Sequence, residues 1–221
     1  MVGEWGAAMR TDDLIADLTG RLAPVRGTEV ARTLGAGLVA GMAGSALLMT
    51  ATIGVRHDIV FAMSGEAFWL KFLYTLVIAL AGLWLVARMS RPGSDARAPA
   101  FLISVPVLIL MAMMAMQMMR ADAPMRHALL MGHSADVCSV LIAGLALPLF
   151  AGLFWALRQL APTRLVPAGA AAGLLAGSAA ASIYAFHCTE STATFIAIWY
   201  TAGIALTTMI GALLGRWTLR W

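Results

Sequence analysis

Six apolar stretches, each about the length that crosses a bilayer as a helix, fall near residues 33–55, 68–87, 100–119, 136–157, 167–186 and 195–214. A helix rises 1.5 Å per residue, so roughly 20 apolar residues cover the ~30 Å hydrocarbon core. The connectors between them, among them "RHDIVFAMSGEA", "RMSRPGSDARAP" and "HCTESTAT", are too short to house a soluble domain. In lipid a spanning segment must satisfy its own backbone hydrogen bonds, which such runs do only as helices. Composition agrees. The chain is 61% hydrophobic and 12% charged, against about 25% charged in a soluble domain. Lipid is therefore its solvent. The expected architecture is an all-α, polytopic membrane protein of six transmembrane helices. It divides into an N-terminal tail over 1–32, a bundle over 33–214 and a short C-terminal tail over 215–221.

Charge sets the expected orientation. The basic residues are fourteen arginines and one lysine, Lys71. Only Arg56, Lys71, Arg120 and Arg126 fall on one side of the six spans; the other eleven fall on the side that holds both tails. The positive-inside rule then places both termini in the cytoplasm, as a multi-pass membrane protein. No run of these charges is interleaved with aromatics, which argues against direct nucleic-acid binding. The opening "MVGEWGAA" lacks the basic start and apolar core of a signal peptide. Met9, at the head of a more structured segment, offers an alternative start.

The tail has a pattern of its own. In "MRTDDLIADLTGRLAPVRG" Thr11 suits an N-cap, and Asp12 and Asp13 suit the positive end of a helix dipole. Leu14, Ile15, Leu18 and Leu22 form one apolar stripe, Asp17 and Arg21 pair off it, and Pro24 ends the segment. A helix lying on a membrane is normally rich in Lys and Arg on its polar face. This one starts acidic, which suits a groove on a soluble protein better. Elsewhere Gly37/Gly41, Gly169/Gly173/Gly177 and Gly211/Gly215 repeat at the small-xxx-small spacing, expected to serve packing inside the bundle. Pro106 and Pro148 are expected to bend the third and fourth spans. The spans carry no acid or base near their midplane.

The side poor in arginine holds His57, His127, His133 and His187, and also Cys138 and Cys188. The stretch "YAFHCTESTATF" alone supplies His187, Cys188 and Glu190. Imidazole, thiolate and carboxylate are metal ligands, so Cys138, Cys188, His133, His187 and Glu190 form a candidate metal set. The cysteines could equally form a disulfide in an oxidising compartment, act as reactive thiols, or simply pack. There is no CxxC and no HExxH. The methionines of "MAMMAMQMMR" read as packing residues.

Taken together, "MRTDDLIADL" ahead of the first span, Cys138 shortly after "MGHSAD", "FHCTES" ahead of "FIAIWY" and the closing "GRWTLRW" resemble the NrsF family of bacterial membrane anti-sigma factors. The resemblance runs nearly the whole chain from Met9 onward; the eight residues before it depart from the family's usual start. It implies a regulator with no enzymatic activity, whose cytoplasmic side sequesters an extracytoplasmic-function sigma factor until stress arrives. By position, Cys138 and Cys188 match the family's cysteine pair, associated with the response to stresses such as heavy metals. No cofactor is obligatory on that reading, though a heavy-metal ion could sit transiently at the pair. The expected sigma-factor contacts are Thr11, Asp12, Asp13, Leu14, Ile15, Leu18 and Leu22. Two other classes compete: a small-solute or metal permease, and a membrane redox enzyme. The absence of midplane charge weighs against the first, and the absence of a second cysteine pair or cofactor site against the second.

Overall fold

A computed structural model of the chain describes residues 10–20, 27–90 and 97–220. The described residues form helices and no strand. Six helical stretches are long and apolar enough to cross a membrane: Thr28–Thr52, Glu66–Met89, Arg97–Arg120, Ala123–Leu160, Leu165–Tyr184 and Ala193–Thr218. All six expected spans are present. Most ends differ from the expected limits by a few residues; the largest differences are the fourth stretch, which begins at Ala123 rather than near 136, and α2 (Gly27–Thr52), which begins ahead of residue 33.

Ahead of the bundle, α1 (Thr11–Gly20) is a helix with every residue exposed, Leu14, Ile15 and Leu18 included. Thr11 lies inside it rather than capping it, since the Arg10 carbonyl accepts the first bond, from Leu14 N at 3.1 Å. Arg21, Leu22 and Pro24 of the expected tail helix lie outside the described residues.

The centre of the bundle is α9 (Leu165–Tyr184), with 78% of its apolar window buried. Its sequence explains its place. Alanines, glycines and serines give it a thin surface against which neighbours approach backbone to backbone. A Cβ added at Gly173 would strike the Thr207 carbonyl, and one at Gly169 the Gly211 carbonyl. These contacts seat the last helix, whose main piece is α11 (Thr201–Thr218). A second seam joins α2 to α8 (Leu147–Leu160), where a Cβ on Gly41 would lie 2.8 Å from the Leu149 Cα. The glycine stripes therefore serve packing within the chain, as their spacing suggested. On the other face of α9 lies α4 (Glu66–Met89). Outside it, α5 (Arg97–Arg120) is the peripheral helix, only 11% of its window buried.

The fourth span is broken twice. Pro148 has no N–H to offer Gly144, and the helix divides into α7 (Ala135–Leu145) and α8 at that turn. Pro106, by contrast, sits within an uninterrupted α5. The connector ahead of α7, read from sequence as loop, contains α6 (Ala123–Met131). Asp122 caps it by accepting from Met125 N at 3.1 Å, and Pro124 occupies its first turn, where a missing donor costs nothing. Between α2 and α4 lies the short α3 (Ile59–Met63). The last span opens with α10 (Ala193–Phe195) and one π-helical turn, Ile196–Tyr200, before α11.

Candidate functional site: a thiol pair beneath a strapped loop

At one end of the bundle the loop that follows α9, residues 185–192, is gripped from three sides. Its amino-terminal part meets the chain leaving α2. Arg56 N donates to the Phe186 carbonyl at 3.1 Å, and His187 Nδ1 lies 3.0 Å from the Gly54 carbonyl. Gly54 holds φ +71, a left-handed conformation that glycine adopts without strain. Arg56 also reaches the Cys188 carbonyl at 3.3 Å while its Nε and Nη2 hold both oxygens of Asp58. That bidentate hydrogen bond keeps the Asp58 carboxyl down at about 2, although the residue is solvent-exposed.

From the second side comes Lys71, the chain's single lysine. It stands in the second turn of α4 and is 1% exposed. Its ammonium donates to the Cys188 carbonyl at 2.5 Å and to the Glu190 carbonyl at 3.0 Å. A buried cation needs such partners, because leaving water unpaired is costly. Sequence counting took Lys71 only as a charge on the arginine-poor side, at the edge of the second span, and missed this role; one lysine among fourteen arginines was the available signal.

The third grip uses Glu190 itself, 8% exposed. Its Oε1 accepts from His133 N at 2.6 Å and lies 3.5 Å from His133 Nδ1. Beside it, Gly132 holds φ +49, and a Cβ there would lie 2.7 Å from Glu190 Oε2. Only a glycine lets the carboxylate settle against the α6–α7 corner.

Beneath this loop are the two cysteines. Cys138, in the first turn of α7, is 0% exposed, and Cys188 is 3% exposed. Both are free thiols, close enough that charge on one acts on the other. The Tyr184 hydroxyl stands beside both. The Tyr200 hydroxyl, from the π turn, stands beside Cys188 and is buried with no acceptor of ordinary geometry. That turn has a local cause. Ser139, next to Cys138, donates to the Trp199 carbonyl at 2.9 Å, and a side chain that draws a carbonyl outward widens a helix. Trp199 Nε1 in turn bonds the Leu130 carbonyl of α6 at 2.8 Å. Gln117 of α5 accepts from Thr194 N and Oγ1, closing the start of the last span.

The five residues singled out as a metal set are thus divided. Cys138 and Cys188 converge; His187 is turned to the Gly54 carbonyl; His133 is exposed and tied to Glu190. Among the described residues no three of His, Cys, Asp and Glu are grouped to hold a metal ion. A tetrahedral zinc site does not fit this arrangement.

The comparisons with known proteins agree in direction. The NrsF family model, described as negative regulator of sigma F, matches residues 18–221. The chain is 38% identical over 213 residues to the "Probable anti-sigma-F factor NrsF" of Azospira oryzae, covering 96% of this chain and all of that protein. It is 41% identical over 217 residues to the "Anti-sigma-F factor NrsF" of Caulobacter vibrioides, again covering 96% of this chain and all of the relative. No solved structure matches. With a match over nearly its whole length, the chain belongs to the NrsF family of negative regulators of sigma F.

Proposed function

We propose that this chain is an inner-membrane anti-sigma factor. Its arginine-rich end, facing the cytoplasm, holds an extracytoplasmic-function sigma factor, and its thiol end senses metal or oxidative stress. The observation that carries the reading is the convergence of Cys138 and Cys188 on Tyr184, from α7 and from the loop after α9. Two fates of the pair supply a signal. Hydrogen peroxide takes two electrons and two protons from the thiols, leaving a disulfide and two waters. A soft cation displaces two protons and is held by both thiolates.

Either event joins the fourth span to the loop between the fifth and sixth. In a bundle with two packings, such a constraint at one end biases one of them, and the other end then loses its grip on the sigma factor. The exposed Leu14, Ile15 and Leu18 of α1 supply the apolar stripe for that grip. A helix of this length is marginal alone and gains order from a partner. Asp12 and Asp13 in its first turn support the helix through its dipole.

The test is co-purification. Tagged full-length protein from unstressed membranes is expected to bring down a sigma factor, and the same preparation after cadmium or peroxide is expected to bring down far less. Equal recovery in both states contradicts the sensing role; no sigma factor in either contradicts the anti-sigma role. Metal content of the treated sample separates the two fates of the thiols.

A further inference from the structure

Lys71 and Glu190 do not touch either thiol through the contacts described, yet both fix the backbone on which Cys188 is carried. The Lys71 ammonium spans the carbonyls of Cys188 and Glu190, one residue on each side of Thr189. The Glu190 carboxylate reaches the other way, to His133 N at the corner that leads into α7 and Cys138. The loop is therefore strapped between α4 and the α6–α7 corner, with Cys188 inside the strap. Below Lys71 the same face of α4 continues into α9: Thr75 Oγ1 accepts from Ser182 Oγ at 2.9 Å, two residues before Tyr184. The element that straps the thiol loop is thus also fastened to the helix that carries Tyr184.

We infer that Lys71 and Glu190 are positioning residues of the thiol pair: they hold Cys188 in register with Cys138 and keep both shielded until the loop opens. This rests on the thiol-sensor reading and assigns Glu190 a strap's role in place of a metal ligand's. The physical ground is the asymmetry of buried hydrogen bonds. Two carbonyls facing an ammonium are satisfied; with a methyl group in its place the Glu190 carbonyl loses that donor and the Cys188 carbonyl keeps only the longer bond from Arg56, and the loop relieves them by moving to water. Local opening is what exposes a buried thiol to reagent.

The experiment measures alkylation of each cysteine by maleimide in the full-length protein in native membranes, resolved by peptide mass spectrometry. In Lys71→Met, Cys188 is expected to react roughly tenfold faster or more, since two charge-assisted bonds are lost. Glu190→Ala is expected to do the same through loss of the His133 bond. Glu190→Gln, whose amide oxygen can still accept from His133 N, is expected to restore most of the protection. A merely structural role does not yield rescue by the conservative variant together with selectivity for Cys188. Unchanged Cys188 reactivity in both Lys71→Met and Glu190→Ala overturns the inference. Where Lys71→Met is not recovered folded, Gly132→Ala decides. Its Cβ collides with the Glu190 carboxylate, so faster Cys188 labelling supports the strap and wild-type labelling overturns it. A reporter in a Cys138→Ser/Cys188→Ser background keeps the two readings apart. Normal induction there removes the sensor reading while leaving the strap measured by labelling intact.

Discussion

The two ends of this molecule are built on opposite plans. At the thiol end a short loop is held by Arg56, Lys71, His187 and Glu190, each bonded to another segment or holding one to it. Two cysteines lie buried beneath it. In the amino-terminal tail, α1 buries nothing and its leucines face outward. The difference teaches a division of labour. A segment already satisfied by its own fold is suited to hold a threshold. A helix with an unspent apolar stripe is suited to bind something else. Between them run helices packed backbone to backbone through glycine.

The comparison breaks most decisively at the thiols. Cys138→Ser/Cys188→Ser is expected to abolish induction of a sigma-dependent reporter while repression stays intact. Comparable in size, and opposite in sign, deletion of residues 11–24 is expected to release the sigma factor constitutively. Membrane fractionation must show that the shortened protein still inserts; unchanged repression removes the tail as the binding element.

A smaller effect comes from the seam between the two ends. Gly173→Ala places a methyl group against the Thr207 carbonyl, and forcing α9 from α11 is expected to cost about 1–3 kcal/mol. Thermal unfolding in detergent checks this, with Gly35→Ala as the control, since a Cβ at Gly35 meets nothing. An equal melting point for both variants contradicts the packing account.

The six spans were legible in the sequence because length and apolarity are all that crossing a bilayer requires. So was the packing role of the glycine stripes. The α6 helix was not: its Asp122 cap and Pro124 lie in a connector of mixed polarity with no apolar run to announce a helix. Lys71 was the larger omission. A lone lysine at the edge of a span looks like a snorkelling charge, and nothing in its neighbours shows that the loop over 188–190, more than a hundred residues away, folds back onto its ammonium. The metal set was read from residue type and sidedness, which place side chains at one end but not toward one point. His187 accordingly took the Gly54 carbonyl as partner, and His133 is tied to the Glu190 carboxylate chiefly through its own backbone N–H.

The smallest expected effect belongs to the Arg56–Asp58 pair at the rim. The Asp58 carboxyl is held at about 2, below its value in an unfolded chain, which is near 4. Its contribution is therefore complete above about pH 4 and is lost as pH falls toward about 2. Because Asp58 is exposed, the effect is modest. Melting curves of Asp58→Asn and the parent are expected to differ slightly at pH 6 and to converge at the acid end. A gap that widens in acid contradicts the assignment.

On the proposed function, joining Cys138 to Cys188 at one end loosens the sigma factor at the other. The most direct measurement oxidises the sigma-bound complex in membranes with graded peroxide. It then quantifies, in the same samples, the Cys138–Cys188 disulfide peptide and the sigma factor still bound. The expected result is an intramolecular disulfide whose rise is matched by loss of bound sigma factor, reversed on reduction. A complete disulfide with the sigma factor fully retained contradicts it.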